Sequence, residues 1–158
     1  MELDLSTLKQ IKGVLEELLN KLDIKADIGT RAADDMVFVD INNVKPDSTV
    51  LIGPAGETML ALQLVLSLIV SRKIIPSIQI VLDVEGYREK REKNLIALAH
   101  RMAKEVQEKN EKVILDPMRP FERRIVHILL QNEYPDLITE STGEDPYRKI
   151  IISPKSNE

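Results

Sequence analysis

The order of hydrophobic periodicities predicts an α+β chain of two small α/β sandwich units, the first αββααβ and the second αβαββ. Three observations carry that reading. Leucines and isoleucines recur at helical spacing near the start of the chain. Short stretches around Val39 and Leu82 alternate apolar with polar residues. Gly86 then interrupts the pattern, and a second series of helix, strand, helix and two strands begins. The expected domains are residues 1–84 and 85–154, with 155–158 a disordered tail. Each unit is about 80 residues or fewer, so each core is marginal alone, and packing together or oligomerisation is expected.

Taken in order, Leu8, Ile11, Leu15, Leu18, Leu19 and Leu22 give an amphipathic helix over 7–22, with Thr7 and Gln10 resembling a capping box. Residues 25–31 read as a strand weakened by Gly29. Val37, Val39 and Ile41 mark one face of a better one. Asn42-Asn43 is turn-like, and a short helix is expected between Pro46 and Ile52. Glu57 to Arg72 is helix-forming and apolar nearly all round, which predicts cover on several sides. Ile78 to Val84 alternates as a strand. A long helix follows from Arg88 to Lys109, with Leu95, Leu98, Ala99, Met102, Ala103 and Val106 inward. Val113 to Leu115 is a short strand. Pro117 and Pro120 frame the start of a helix running to about Asn132. Leu137–Glu140 and Tyr147–Ile152 are strands around the turn Ser141 to Pro146.

Composition narrows the function classes. The 158 residues include no Cys, two His, no Trp, two Phe and three Tyr. A disulfide scaffold, a thiolate metal site and a Cys nucleophile are excluded, and two histidines are too few for a His-rich metal centre. Few aromatics argue against binding single strands by stacking platforms of the RRM or OB type. The apolar stretch Met59 to Val70 is broken by Gln63 and Ser67 and is too short to span a bilayer. The start, Met1-Glu2-Leu3-Asp4, lacks a signal peptide's basic and apolar regions, so a cytoplasmic protein is expected. Net charge is −4, but it is unevenly spread. Residues 1–85 carry 8 Lys/Arg against 13 Asp/Glu, residues 86–127 carry 11 against 7, and residues 128–158 carry 3 against 6. The middle block is where bulk charge would meet a polyanion; a solvated helix face of mixed charge is the plainer alternative.

Two constellations carry chemistry. Gly53 and Gly56 stand three apart between helical segments. Such a pair permits a tight turn and close approach of another backbone, ahead of helix amides that favour phosphate. An ordinary helix–helix turn is the other reading. In the second, Arg119, Arg123 and His127 follow at i, i+4 and i+8, along one helix face. Cations in a first helical turn oppose the helix dipole, so stability alone does not explain them. Arg forks onto phosphate and His donates a hydrogen bond. Taken alone, His127 also fits a half-buried residue bonded to a neighbour.

The run Leu51-Ile52-Gly53-Pro54-Ala55-Gly56-Glu57-Thr58, in its setting of elements, resembles the Ile-Gly-x-x-Gly signature of the prokaryotic (type II) KH domain. The resemblance implies single-stranded RNA or DNA held across a groove, with Gly53, Pro54, Ala55 and Gly56 clamping its backbone. Pro54 and Ala55 stand where that family usually has a Lys or Arg. Pro54 removes a backbone donor as well, so a degenerate KH domain used for packing or dimerisation stays open. Pro120-Phe121-Glu122-Arg123-Arg124-Ile125-Val126-His127 resembles the R-3-H domain, a single-stranded nucleic-acid binder. That implies a surface patch of Arg123 and His127 with Arg124 nearby, extended by Arg148 and Lys149 after Tyr147.

The two together, over roughly Leu8 to Pro154, resemble the joined modules of the bacterial Jag/KhpB (SpoIIIJ-associated) family. The run Tyr87 to Lys93 is dense in cations at the start of the second module. The family usually carries a further N-terminal domain and linker, not visible here. The resemblance implies an RNA-binding regulator (single-stranded DNA being the other option), a link to cell elongation and envelope control, and a small KH partner, KhpA, or self-association through the KH unit. The alternative is a protein–protein interaction module using residues 58–70. No Walker loop, nucleophile elbow or zinc-hydrolase motif occurs. One His flanked by cations is thin support for RNA cleavage, so a non-enzyme without cofactor or metal is expected.

Overall fold

A computed structural model describes residues 4–155 of the chain. The polypeptide divides into two compact units, one ending at Arg88 and one beginning at Glu89.

The first unit contains α1 (Leu5–Lys21), β1 (Lys25–Ala33), β2 (Met36–Lys45), α2 (Thr49–Ile52), a single 3-10 turn at Pro54–Gly56, α3 (Glu57–Lys73) and β3 (Gln79–Val84). The sheet order is β1-β2-β3, with β1 antiparallel and β3 parallel to β2. Val37, Val39 and Ile41 alternate inward with Ile80, Leu82 and Val84 beside them. Leu8, Ile11, Leu15 and Leu19 of α1 and Met59, Leu66 and Val70 of α3 complete this core. The capping box expected at Thr7 is not what starts α1. Asp4 is the cap, its carboxylate accepting from the Thr7 amide at 2.7 Å, which holds that carboxyl below its ordinary pKa.

Cover on several sides, expected for α3, is not found. Only one side meets the core, while Leu64, Val65 and Leu68 are 60%, 44% and 62% exposed. Gln63, which interrupts the apolar run, has a local purpose. Its Oε1 accepts from the Leu82 amide on the edge strand β3 at 3.0 Å and from Arg88 Nη2 at 2.8 Å. The length expectation also needs correction. Counted with its leading turn, the helix Pro54–Lys73 has 20 residues, and an 18-residue stretch of it has a mean hydropathy of 1.4, enough by length and composition alone to cross a bilayer. Counting only Met59 to Val70 leaves out the ends that reach that length.

The second unit holds α4 (Tyr87–Lys109, whose first two residues belong to the first unit), β4 (Val113–Ile114), α5 (Pro120–Glu133), β5 (Leu137–Thr142) and β6 (Lys149–Pro154). Its sheet is antiparallel in the order β4-β6-β5. Small residues at i+4 steps, Ala99 and Ala103 between Leu95 and Val106, line the inner face of α4. They pack with Val126 and Leu130 of α5 and Ile150 and Ile152 of β6. The expected tail at 155–158 falls, beyond Lys155, outside the described residues.

Candidate nucleic-acid interface

The glycine turn is filled from within the first unit. Gly53 and Gly56 both have positive φ, +70° and +77°. A Cβ on Gly56 would lie 2.6 Å from the ring of Tyr87, and one on Gly53 would collide with the Thr58 side chain. Glycine is therefore required here by backbone conformation and internal packing alone. Pro54 and Ala55 are exposed, Gly56 is buried, and Glu57 opens α3, placing a negative charge where a phosphate would otherwise meet the helix dipole.

The basic run at the start of α4 is largely committed to internal pairs. Arg88 Nε donates to the Leu82 carbonyl at 3.1 Å, and Lys93 pairs with Glu89. Arg91 Nε meets Glu122 Oε1 at 2.7 Å, and Glu122 is almost wholly buried. The second oxygen of Glu122 accepts from the Arg119 backbone amide at 3.0 Å and caps α5. Arg119 is consequently the cap residue, half-buried with extended backbone, and not a member of the first turn as its spacing suggests.

Arg123 departs furthest from the expected open patch. Only 8% of it is exposed. Its Nη1 donates to the Met118 carbonyl at 2.6 Å and to Asp145 Oδ1 at 2.9 Å. Position 123 falls on the same side of α5 as Val126 and Leu130, so the i, i+4 spacing that places it near His127 also turns it toward the core. The Met118 amide in turn donates to the Arg148 carbonyl at 3.1 Å. Arg123 thus fastens the start of α5 to the loop between β5 and β6.

Around that fastening stands a strip of side chains held by neutral groups. His127, exposed on α5, bonds through Nδ1 to the Thr139 hydroxyl. Arg148 Nε donates to the Ser141 hydroxyl at 2.9 Å. Thr139 and Ser141 are two apart on β5, share the face of buried Leu137, and so set the imidazole and guanidinium side by side. The guanidinium of Arg119 and that of exposed Arg124 have no hydrogen-bonding or ion-pairing partner among the described residues. Lys149 does not extend this strip. It pairs with Thr142 on β5, one step from the Ser141–Ile150 pair, and therefore lies on the opposite face of the sheet.

Thr139 and Ser141 were missed from the sequence, although the alternation Leu137, Thr139, Ser141 signals one strand face. Glu122 at the third helical position carried a readable capping signal too. Four side chains with free hydrogen-bonding capacity, two of them held by neutral hydroxyls, suit an acceptor-rich, anionic ligand.

Residues 93–154 match the R-3-H domain. A protein of Clostridium symbiosum named RNA-binding protein KhpB is 37% identical over 141 residues, 89% of this chain and 63% of the relative. Its namesake in Lactiplantibacillus plantarum is 34% identical over 140 residues, 89% of this chain and 41% of that one. That of Bacillus subtilis is 30% identical over 149 residues, covering 94% of this chain and 71% of the relative. The chain belongs to the KhpB family. It spans 63% and 41% of the first two KhpB relatives, so it corresponds to part of their length. The KhpB match extends well before residue 93 and takes in elements of the first unit as well as the R-3-H segment.

Proposed function

We propose that the chain is a regulatory binder of single-stranded RNA, acting in the cytoplasm without catalysis, and that His127, Arg148 and Arg119 are its principal contacts, with Arg124 beside them. The observation carrying this is that His127 and Arg148 are held by hydroxyls, not by carboxylates. Their charge or donor capacity is therefore oriented without being neutralised. The names of the KhpB relatives support the RNA. Arg123 enters as the residue that positions this strip, through its bonds to the Met118 carbonyl and Asp145. A fluorescence anisotropy titration with short single-stranded RNA tests it. The double variant His127→Ala, Arg148→Ala should bind about 10-fold more weakly with unchanged melting, and affinity should fall as salt rises. Unchanged affinity in the folded variant would reject the strip.

A second reading concerns the first unit. Its element order and glycine turn support a type II KH domain, and the apolar face Leu64, Val65 and Leu68 favours protein contact. On this reading the unit pairs with a second copy or a small KhpA-like KH protein, and residues 53–56 contribute little to RNA. Sedimentation of wild type against Leu68→Glu separates the cases. A monomer at every concentration, alone and with a KhpA-like protein, would reject this pairing.

A further inference from the structure

Beside the strip, Ile96 of α4 and Phe121, Arg124, Ile125, Ile128 and Leu129 of α5 line a surface groove of about 500 Å³. Apart from Arg124 the walls are hydrocarbon or aromatic ring. Phe121 is 52% exposed and Ile128 44%. The groove has the make-up of a small-ligand site, mainly apolar with one placed polar group. Its single polar group is a guanidinium without a carboxylate partner among the described residues. A surface meant for an apolar partner alone gains nothing from an uncompensated charge at that spot, whereas a ligand with a flat ring and an anionic tail satisfies both.

Helical geometry ties the groove to the strip. Phe121, Arg124 and Ile128 are at i, i+3 and i+7 and share a face, and His127 is three residues beyond Arg124, on the adjoining edge of that face. At 1.5 Å per residue Phe121 lies about 9 Å along the helix axis from His127, a span that a strand running past His127 can cover.

We infer that this groove is a nucleobase pocket: one base of the bound strand stacks on Phe121 between Ile96 and Ile128, and Arg124 holds the phosphate attached to it. The inference rests on the RNA-binding reading above and adds the site that takes a base. It also places the stacking contact on a side chain for which the low aromatic content gave no expectation.

The chain contains no Trp, so Phe121→Trp installs a single reporter at the pocket. Short single-stranded RNA should quench its emission. An abasic ribose-phosphate strand of equal length, at equal ionic strength, should not. Phe121→Ala, checked for folding by circular dichroism, should weaken RNA binding about 5-fold or more while leaving the abasic strand's affinity unchanged. RNA that binds without quenching, and equally well to Phe121→Ala, would overturn the pocket while leaving the strip intact. Emission that shifts with protein concentration in the absence of RNA would give the groove to a second copy and overturn the inference. Failure of wild type to bind either strand would remove the RNA-binding reading itself, and the pocket with it.

Discussion

The two units treat their conspicuous residues in opposite ways. In the first, the glycines that invite a ligand backbone are occupied by the fold's own Thr58 and Tyr87, and the open surface is the hydrocarbon of α3. In the second, part of the cationic surplus turns inward, Arg91 to Glu122 and Arg123 to Asp145, while His127 and Arg148 are steadied by neutral hydroxyls. A motif marks a place in a fold; what is left unpaired there decides what the place can bind.

The contrast breaks most visibly at Glu122. Glu122→Ala removes the buried carboxylate that Arg91 Nε and the Arg119 amide share, and should cost about 3 kcal/mol of the second unit's stability, read by chemical denaturation. Hydrogen exchange should show protection lost from 89 onward and kept in β2 and β3. Equal loss in both units would mean that they do not differ as described. Next in size, Gly56→Ala forces a Cβ into the Tyr87 ring at positive φ and should destabilise the first unit by about 1–2 kcal/mol with RNA affinity unchanged. A drop in affinity at constant stability would instead give that turn a direct part in binding.

Arg123→Lys sharpens the comparison within the strip. Lysine keeps the charge but cannot reproduce the guanidinium's geometry toward Met118 and Asp145. Melting temperature should fall together with affinity, whereas His127→Ala should lower affinity alone. The smallest effect concerns Asp4. Its carboxyl titrates below the ordinary range because the folded state supplies the Thr7 amide. The stabilisation is therefore complete above the unfolded carboxylate pKa and lost as pH falls through the folded value. Asp4→Ala should be less stable than wild type near neutrality and converge with it in strong acid, as followed by thermal melts.

Much of this fold was legible in the sequence, because element order depends on periodicity and on turn residues such as Gly86 and the prolines near 117–120. Cover was not. Nothing in Glu57 to Arg72 says which apolar face meets a partner inside the unit, since periodicity vanishes when every face is apolar. At the proposed binding surface, helical spacing set Arg123 and His127 four apart on α5 with Arg119 just before it, but could not say which would turn inward to a carboxylate. Asp145 is 22 residues from Arg123, and Glu122 is 31 from Arg91. Long-range pairing of this kind is set by the loop that returns the chain, not by local pattern. Arg148 and Lys149 were grouped for their charge, and strand alternation separates them.

That separation bears on which mutations the hairpin will tolerate. The pairs Ser141↔Ile150 and Thr142↔Lys149 put arginine on the helix side and lysine on the other. Removing one residue from 143–147 would ask β6 to slip by one place, turning Lys149 inward and exiling Ile150 from the core. The segment can therefore change its spelling freely but not its length, and natural variation there should appear as replacements or paired insertions, seldom as single-residue gaps.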